Sequence, residues 1–119
     1  RPDALVNPVV LVGLGGVAGA LARHLLGERI DRRTHDTLAV NVAGSFLLGF
    51  LAAGPFARSL TLAFGVGFCG AFTTFSTFAF ETVRLAEEGE VRRAATNGAT
   101  NLVGALLAVA LGAEAAALL

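Results

Sequence analysis

Charge is scarce in this 119-residue chain: Asp, Glu, Lys and Arg together make 15% of it, against 55% hydrophobic residues. A water-soluble domain this small needs more polar covering than that. The formal net charge is zero, so no basic field exists to attract nucleic acid, and motifs that read RNA or DNA are absent. A single cysteine, Cys69, excludes an internal disulfide and cannot alone form a metal site; its ordinary use is as a small buried apolar residue. No acid sits deep inside a long apolar run, where a proton-coupled transporter normally carries one. No acid, base and nucleophile are gathered in those runs, which makes an enzyme the poorest class.

What the chain has in abundance is uninterrupted apolar sequence. Thr37–Ala57, Ser59–Phe80 and Ala94–Ala113 contain no charged residue, and each is about 20 residues or slightly more, enough for a helix to cross a bilayer core. Pro8–Leu26 is apolar except for Arg23 and His24 near its end, where a long cationic side chain reaches the headgroups. The reading is a single all-α membrane domain over 1–119 with spans at about 8–27, 37–57, 59–84 and 94–114. The first run follows Arg1-Pro2-Asp3 and precedes three more; it lacks the pattern of a cleaved signal peptide and is expected to be retained. The charge gathers in short connections, GERIDRRTHD, GPFARS and LAEEGEVRR. Four spans put Arg1 and Arg58 on one side and Arg29, Arg32, Arg33, Arg84, Arg92 and Arg93 on the other. The positive-inside rule then places the first and third loops in the cytoplasm.

Small residues recur four apart: Gly15 and Gly19, Gly16 and Ala20, Ala39 and Ala43, Ala63 and Gly67, Gly104 and Ala108. That spacing lets helix backbones approach where lipid supplies no hydrophobic drive. Four tightly packed helices leave little room for a pathway inside one subunit, so an ion route is expected at the interface of an oligomer. Gly13, Gly15 and Ala18 also match G-x-G-x-x-A, with Asp31 further on. A dinucleotide fold, however, needs alternating strands and amphipathic helices, and three long apolar runs follow instead.

Polar residues inside spans mark either a structural bond or a lined path. Asn41, with Ser45 a turn later on the same face, either bonds a neighbouring backbone or donates its amide to a passing anion. Asn97, Thr100, Asn101 and Gly104 share one face of the last span, with interhelical bonding the default for Asn101. The densest pattern is GFCGAFTTFSTFAFE, Gly67–Glu81. Gly65, Gly67 and Gly70 predict a break in the third helix near mid-membrane. A broken helix exposes carbonyls, which suit a monovalent cation where no acid is near. Beyond it, Phe75 and Phe78 are i, i+3 neighbours, and Thr73, Thr77 and Glu81 form an i, i+4 row. Such rings either pack against lipid and helices or turn electropositive edges toward an anion.

This motif, together with TLAVNVAGSFLLG, GGVAGALAR and the Asn-rich start of the last span, resembles the fluoride channels of the Fluc (CrcB) family. The resemblance covers all four spans in order. It implies an antiparallel, dual-topology dimer of four-helix subunits, with two fluoride pores and a structural sodium ion at the centre of the interface. Carried over by position, it implies that Gly70 and Thr73 give backbone carbonyls to that sodium and that Phe75 and Phe78 are pore phenylalanines. It further implies a pore amide at Asn41, hydroxyl contributors at Ser76 and Thr77, a pore-mouth acid at Glu81, and a basic vestibule residue at Arg23. Along the fourth helix Ala105 and Ala108 stand where the family often has hydroxyls, leaving Thr100.

The implied mechanism is passive electrodiffusion across a prokaryotic cell membrane: fluoride that has entered as HF leaves down its gradient, lowering its toxicity. The six-to-two arginine asymmetry raises a heterodimer with an oppositely oriented partner as an alternative to a homodimer. A small multidrug or proton-coupled transporter shares the four-helix plan and is the competing reading.

Overall fold

The computed structural model describes residues 7–30 and 33–119. Arg1, Asp31, Arg32 and the side chain of Arg33, on which the arginine asymmetry and the dinucleotide comparison partly rest, lie outside the described residues. Among those described the chain is entirely helical, with four helices long and apolar enough to cross a membrane.

Helix α1, Pro8–Arg29, starts where Asn7 Oδ1 accepts the Val9 N–H at 2.8 Å and proline occupies the first turn; that turn has no use for the missing donor. Helix α2, Arg33–Ala53, is shifted toward the N-terminus relative to the charge-free run. Gly54-Pro55 ends it, since the residue before a proline is pushed out of the helical region. The third span is two half-helices. The first, α3, covers 58–72: an α-turn Arg58–Leu60, a wider π-helical stretch Thr61–Cys69, and a last α-turn Gly70–Phe72. The second, α4, is Phe75–Glu87. It ends in a tight turn in which Gly89 takes φ 83°, with the Glu90 N–H on the Leu85 carbonyl and the Gly89 N–H on that of Ala86. This pairing of the last carbonyls is the usual work of a glycine just past a helix end. Helix α5, Val91–Ala116, completes the fold.

The helices pack as two close pairs, α1 with α3 and α2 with α5, with α4 lying against α5. Glycines set the closeness. A Cβ on Gly15 would be driven into the Ala63 carbonyl, one on Gly19 into that of Phe68, and one on Gly67 against that of Val12. In the other pair the crowded positions are Gly49 against Val109 and Gly112 against Phe46. The small-residue spacing therefore forms an interface as expected at Gly15, Gly19 and Gly67 between α1 and α3, with Ala20 left exposed. Helices α2 and α5 meet at Gly104, packed against Val42, with Ala108 buried, as expected, and also at Gly49 and Gly112, with Ala43 left exposed.

The outside of the bundle is apolar. Leu14, Val17, Leu21 and Leu25 along α1, and Leu102, Leu106, Leu107 and Leu111 along α5, are all more than half exposed. Such surface would drive aggregation in water and is matched by a hydrocarbon solvent.

The break sits at Thr73-Thr74, past the glycines that predicted it. Thr73 (φ −82°, ψ 161°) and Thr74 (φ −149°, ψ 118°) are extended, a conformation β-branched residues favour. Gly65, Gly67 and Gly70 stay helical. The first two are buried, and Gly67 serves the contact with α1.

Candidate functional site

The break is held by side chains in place of helical bonds. The Thr73 N–H and hydroxyl both donate to the Cys69 carbonyl, at 3.0 and 2.8 Å, closing α3. The Thr74 N–H, which in a continuous helix would bond the Gly70 carbonyl, donates to Asn41 Oδ1 at 2.8 Å. Asn41 Nδ2 returns a bond to the Thr74 carbonyl at 3.2 Å and a second to Asn101 Oδ1 at 3.1 Å. One amide side chain thus pairs with a peptide group as a neighbouring strand would. Thr74 also caps α4, its hydroxyl accepting the Thr77 N–H at 3.2 Å and bonded to the Thr77 hydroxyl at 3.1 Å.

Two concavities flank Thr74. On one side, an open groove of about 540 Å³ is lined by Asn41, Ser45, Gly70, Thr73, Phe75 and Phe78, among others. Phe75 and Phe78 stand with ring centroids 5.8 Å apart and planes tilted by 54°, so that edge and face are both presented. Phe75 is 78% exposed. Gly70 is exposed as well, with open space where a side chain would be. On the other side, a cavity of about 140 Å³ brings together Arg23, Asp36, Thr37, Thr77, Phe80 and Glu81. Arg23 and Asp36 also line a wider polar recess with His24 and Glu28, whose exposed side chains meet with His24 Nε2 3.1 Å from Glu28 Oε1.

The predicted residues therefore fall into two groups. Asn41, Gly70, Thr73, Phe75 and Phe78 share the groove, whereas Arg23, Thr77 and Glu81 share the cavity. Glu81 is buried, 8% exposed, within the third membrane-crossing helix. Ser76 is exposed and lines neither space. Thr100 is exposed on α5 and donates to the carbonyls of Thr96 and Asn97 in its own helix. Thr74, Asp36 and Thr37 went unnoticed in the sequence. Thr74, the wall between the two spaces, carried a signal: a threonine just ahead of a helical run is a strong N-cap.

A family model described as CrcB-like protein, Camphor Resistance (CrcB), matches residues 10–113. The chain is 54% identical over 101 residues to a protein of Natronomonas pharaonis named fluoride-specific ion channel FluC 2, covering 85% of this chain and 87% of that one. It is 47% identical over 109 residues to a FluC 2 of Moorella thermoacetica, covering 85% and 89%. With a FluC of Methanocaldococcus jannaschii the identity is 41% over 115 residues, covering 91% and 93%.

Proposed function

This chain belongs to the CrcB-like family, and from that premise we propose that it is a fluoride-selective channel that lets cytoplasmic fluoride out of a prokaryotic cell by passive electrodiffusion. The observation that carries the reading is the groove at the interrupted third span, where two phenylalanine rings, hydroxyls and freed backbone groups converge without a full charge.

Fluoride is small and strongly hydrated, so a narrow path must replace its water with donors. Hydroxyls and ring edges do this without the deep trap that a fixed cation would create. In this conformation both Asn41 amide hydrogens are committed, to Thr74 and Asn101, so donation to an ion at that position requires one of those bonds to exchange. Arg23 borders the cavity beside Thr74 together with Asp36 and Glu81 and, among the described residues, is the one cation in its lining to which an anion at the vestibule would be drawn.

The groove is partly open and Phe75 is largely exposed, which supports a second subunit as its missing wall. The partner is a second copy in antiparallel orientation or an oppositely inserted relative. The residues also fit a central sodium ion. Gly70 lies in the last turn of α3 with open space where a Cβ would be, the Thr74 N–H that its carbonyl would accept in a continuous helix is diverted to Asn41, and the Thr73 carbonyl follows in extended backbone. Neutral oxygens of this kind suit a monovalent cation, whose charge would lend the interface a fixed positive centre.

Buried Glu81 is the one observation that favours the competing proton-coupled reading, since an acid inside a span is a common coupling site. Fluoride-electrode recordings of efflux from proteoliposomes test the proposal. The wild type empties the vesicles when a potassium ionophore supplies the counter-current, and Phe75→Ile and Phe78→Ile slow it. Wild-type rates in both variants would remove the rings from the path.

A further inference from the structure

The bond at Asn41 is one link of a longer chain whose donors run the same way, apart from the bond that Asn41 Nδ2 returns to the Thr74 carbonyl. The Thr74 N–H donates to Asn41 at 2.8 Å, and Asn41 Nδ2 to Asn101 Oδ1 at 3.1 Å. Asn101 Nδ2 donates to Asn97 Oδ1 at 3.2 Å and to the Asn97 carbonyl at 3.0 Å. Asn97 Nδ2 donates to Thr82 Oγ1 at 3.0 Å, and that hydroxyl to the Phe78 carbonyl at 2.8 Å. The sequence of bonds leaves the third span at its break, crosses α2 and α5, and returns to α4 one turn further on, at a phenylalanine of the groove. Asn97 and Asn101 are 7% and 5% exposed, so solvent competes little, and aligned bonds in such a setting polarise one another.

We propose that Asn97 and Thr82, which line neither the groove nor the cavity, are positioning residues: acting through Asn101 and Asn41, they hold the break extended and the Phe78 backbone in place, and so set anion selectivity. The selectivity half of this rests on the fluoride-channel reading; the structural half does not. Asn101 and Asn41 have no spare amide donor while the chain is intact, because each Nδ2 already makes two bonds. Cutting the far end at Thr82 releases Asn97 and lets each amide upstream turn. The Thr74 N–H then loses a fixed acceptor, and the Phe78 carbonyl loses a side-chain donor.

The decisive pair is Thr82→Val, which removes the hydroxyl at nearly constant shape, and Thr82→Ser, which keeps it. Two quantities are read on purified protein. One is the fluoride-to-chloride permeability ratio from reversal potentials. The other is hydrogen exchange at the Thr74 amide. A hydrogen bond's net worth corresponds to roughly a tenfold shift in an equilibrium, so Thr82→Val is expected to lower the ratio and speed exchange by about that factor, with Thr82→Ser near wild type. Unchanged exchange and ratio in Thr82→Val, or a serine variant that behaves like valine, overturns the relay. Should Thr82→Val fail to fold, Asn97→Asp keeps the acceptor toward Asn101 but cannot donate to Thr82, and the same two readouts apply. If the wild type passes no fluoride, the functional reading falls while exchange at Thr74 still decides the relay.

Discussion

Asn41→Leu removes the side chain that replaces helical bonding at the break. Leucine is close in size but leaves three groups without the partners they have now: the Thr74 N–H, the Thr74 carbonyl and Asn101 Oδ1. Side-chain bonds between membrane helices are worth about 0.6 kcal/mol on average and up to about 1.7, whereas a buried group left unsatisfied costs about 1–3 kcal/mol. The part-buried site lies between these limits, which gives a loss of about 2–4 kcal/mol for three bonds. Asn41→Asp keeps the acceptor for Thr74 but loses both donated bonds and sets a carboxylate oxygen against the Thr74 carbonyl and Asn101 Oδ1, so it should be at least as destabilising as leucine. Denaturant titration in mixed micelles, followed by far-ultraviolet circular dichroism, measures the difference. If Asn41→Leu is as stable as wild type, the amide pairing is not what holds the break.

Gly19→Ala forces a methyl into the Phe68 carbonyl and is expected to cost about 1–3 kcal/mol in the same titration. Gly13→Ala, with nothing within 4 Å, should be neutral or slightly stabilising. Gly89→Ala, at φ 83°, should cost about 1 kcal/mol through backbone strain, seen as a lower midpoint with fluoride flux unchanged. Exchanging sodium for N-methylglucamine should lower the thermal midpoint of wild-type protein, by loss of a ligand that binds the folded state; an unchanged midpoint would argue against the Gly70 and Thr73 carbonyls as a cation site.

The four membrane helices were legible because charge-free runs of bilayer length leave few alternatives. Their ends were less so: α2 is displaced because Gly54-Pro55 stops it before the apolar run does. The break in the third span was legible, but not its position. Gly65 and Gly67 resemble helix breakers in isolation, yet in the fold they are buried small residues, and Gly67 admits the backbone of α1. The chain parts at Thr73-Thr74 because Asn41, more than thirty positions earlier, offers the peptide group another partner. No local propensity carries that information. For the same reason Asn101 read correctly as an interhelical bond, while its link through Asn97 to Thr82 depends on how α4 and α5 pack.

Reversal potential in a planar bilayer, with a tenfold fluoride gradient at equal pH on both sides, bears most directly on the function. A passive fluoride-selective pore should reverse at about 59 mV of the sign set by fluoride, unmoved by a chloride gradient or by a pH step. A potential that follows chloride, or one that shifts with the pH step in wild type and no longer does so in Glu81→Gln, would contradict it.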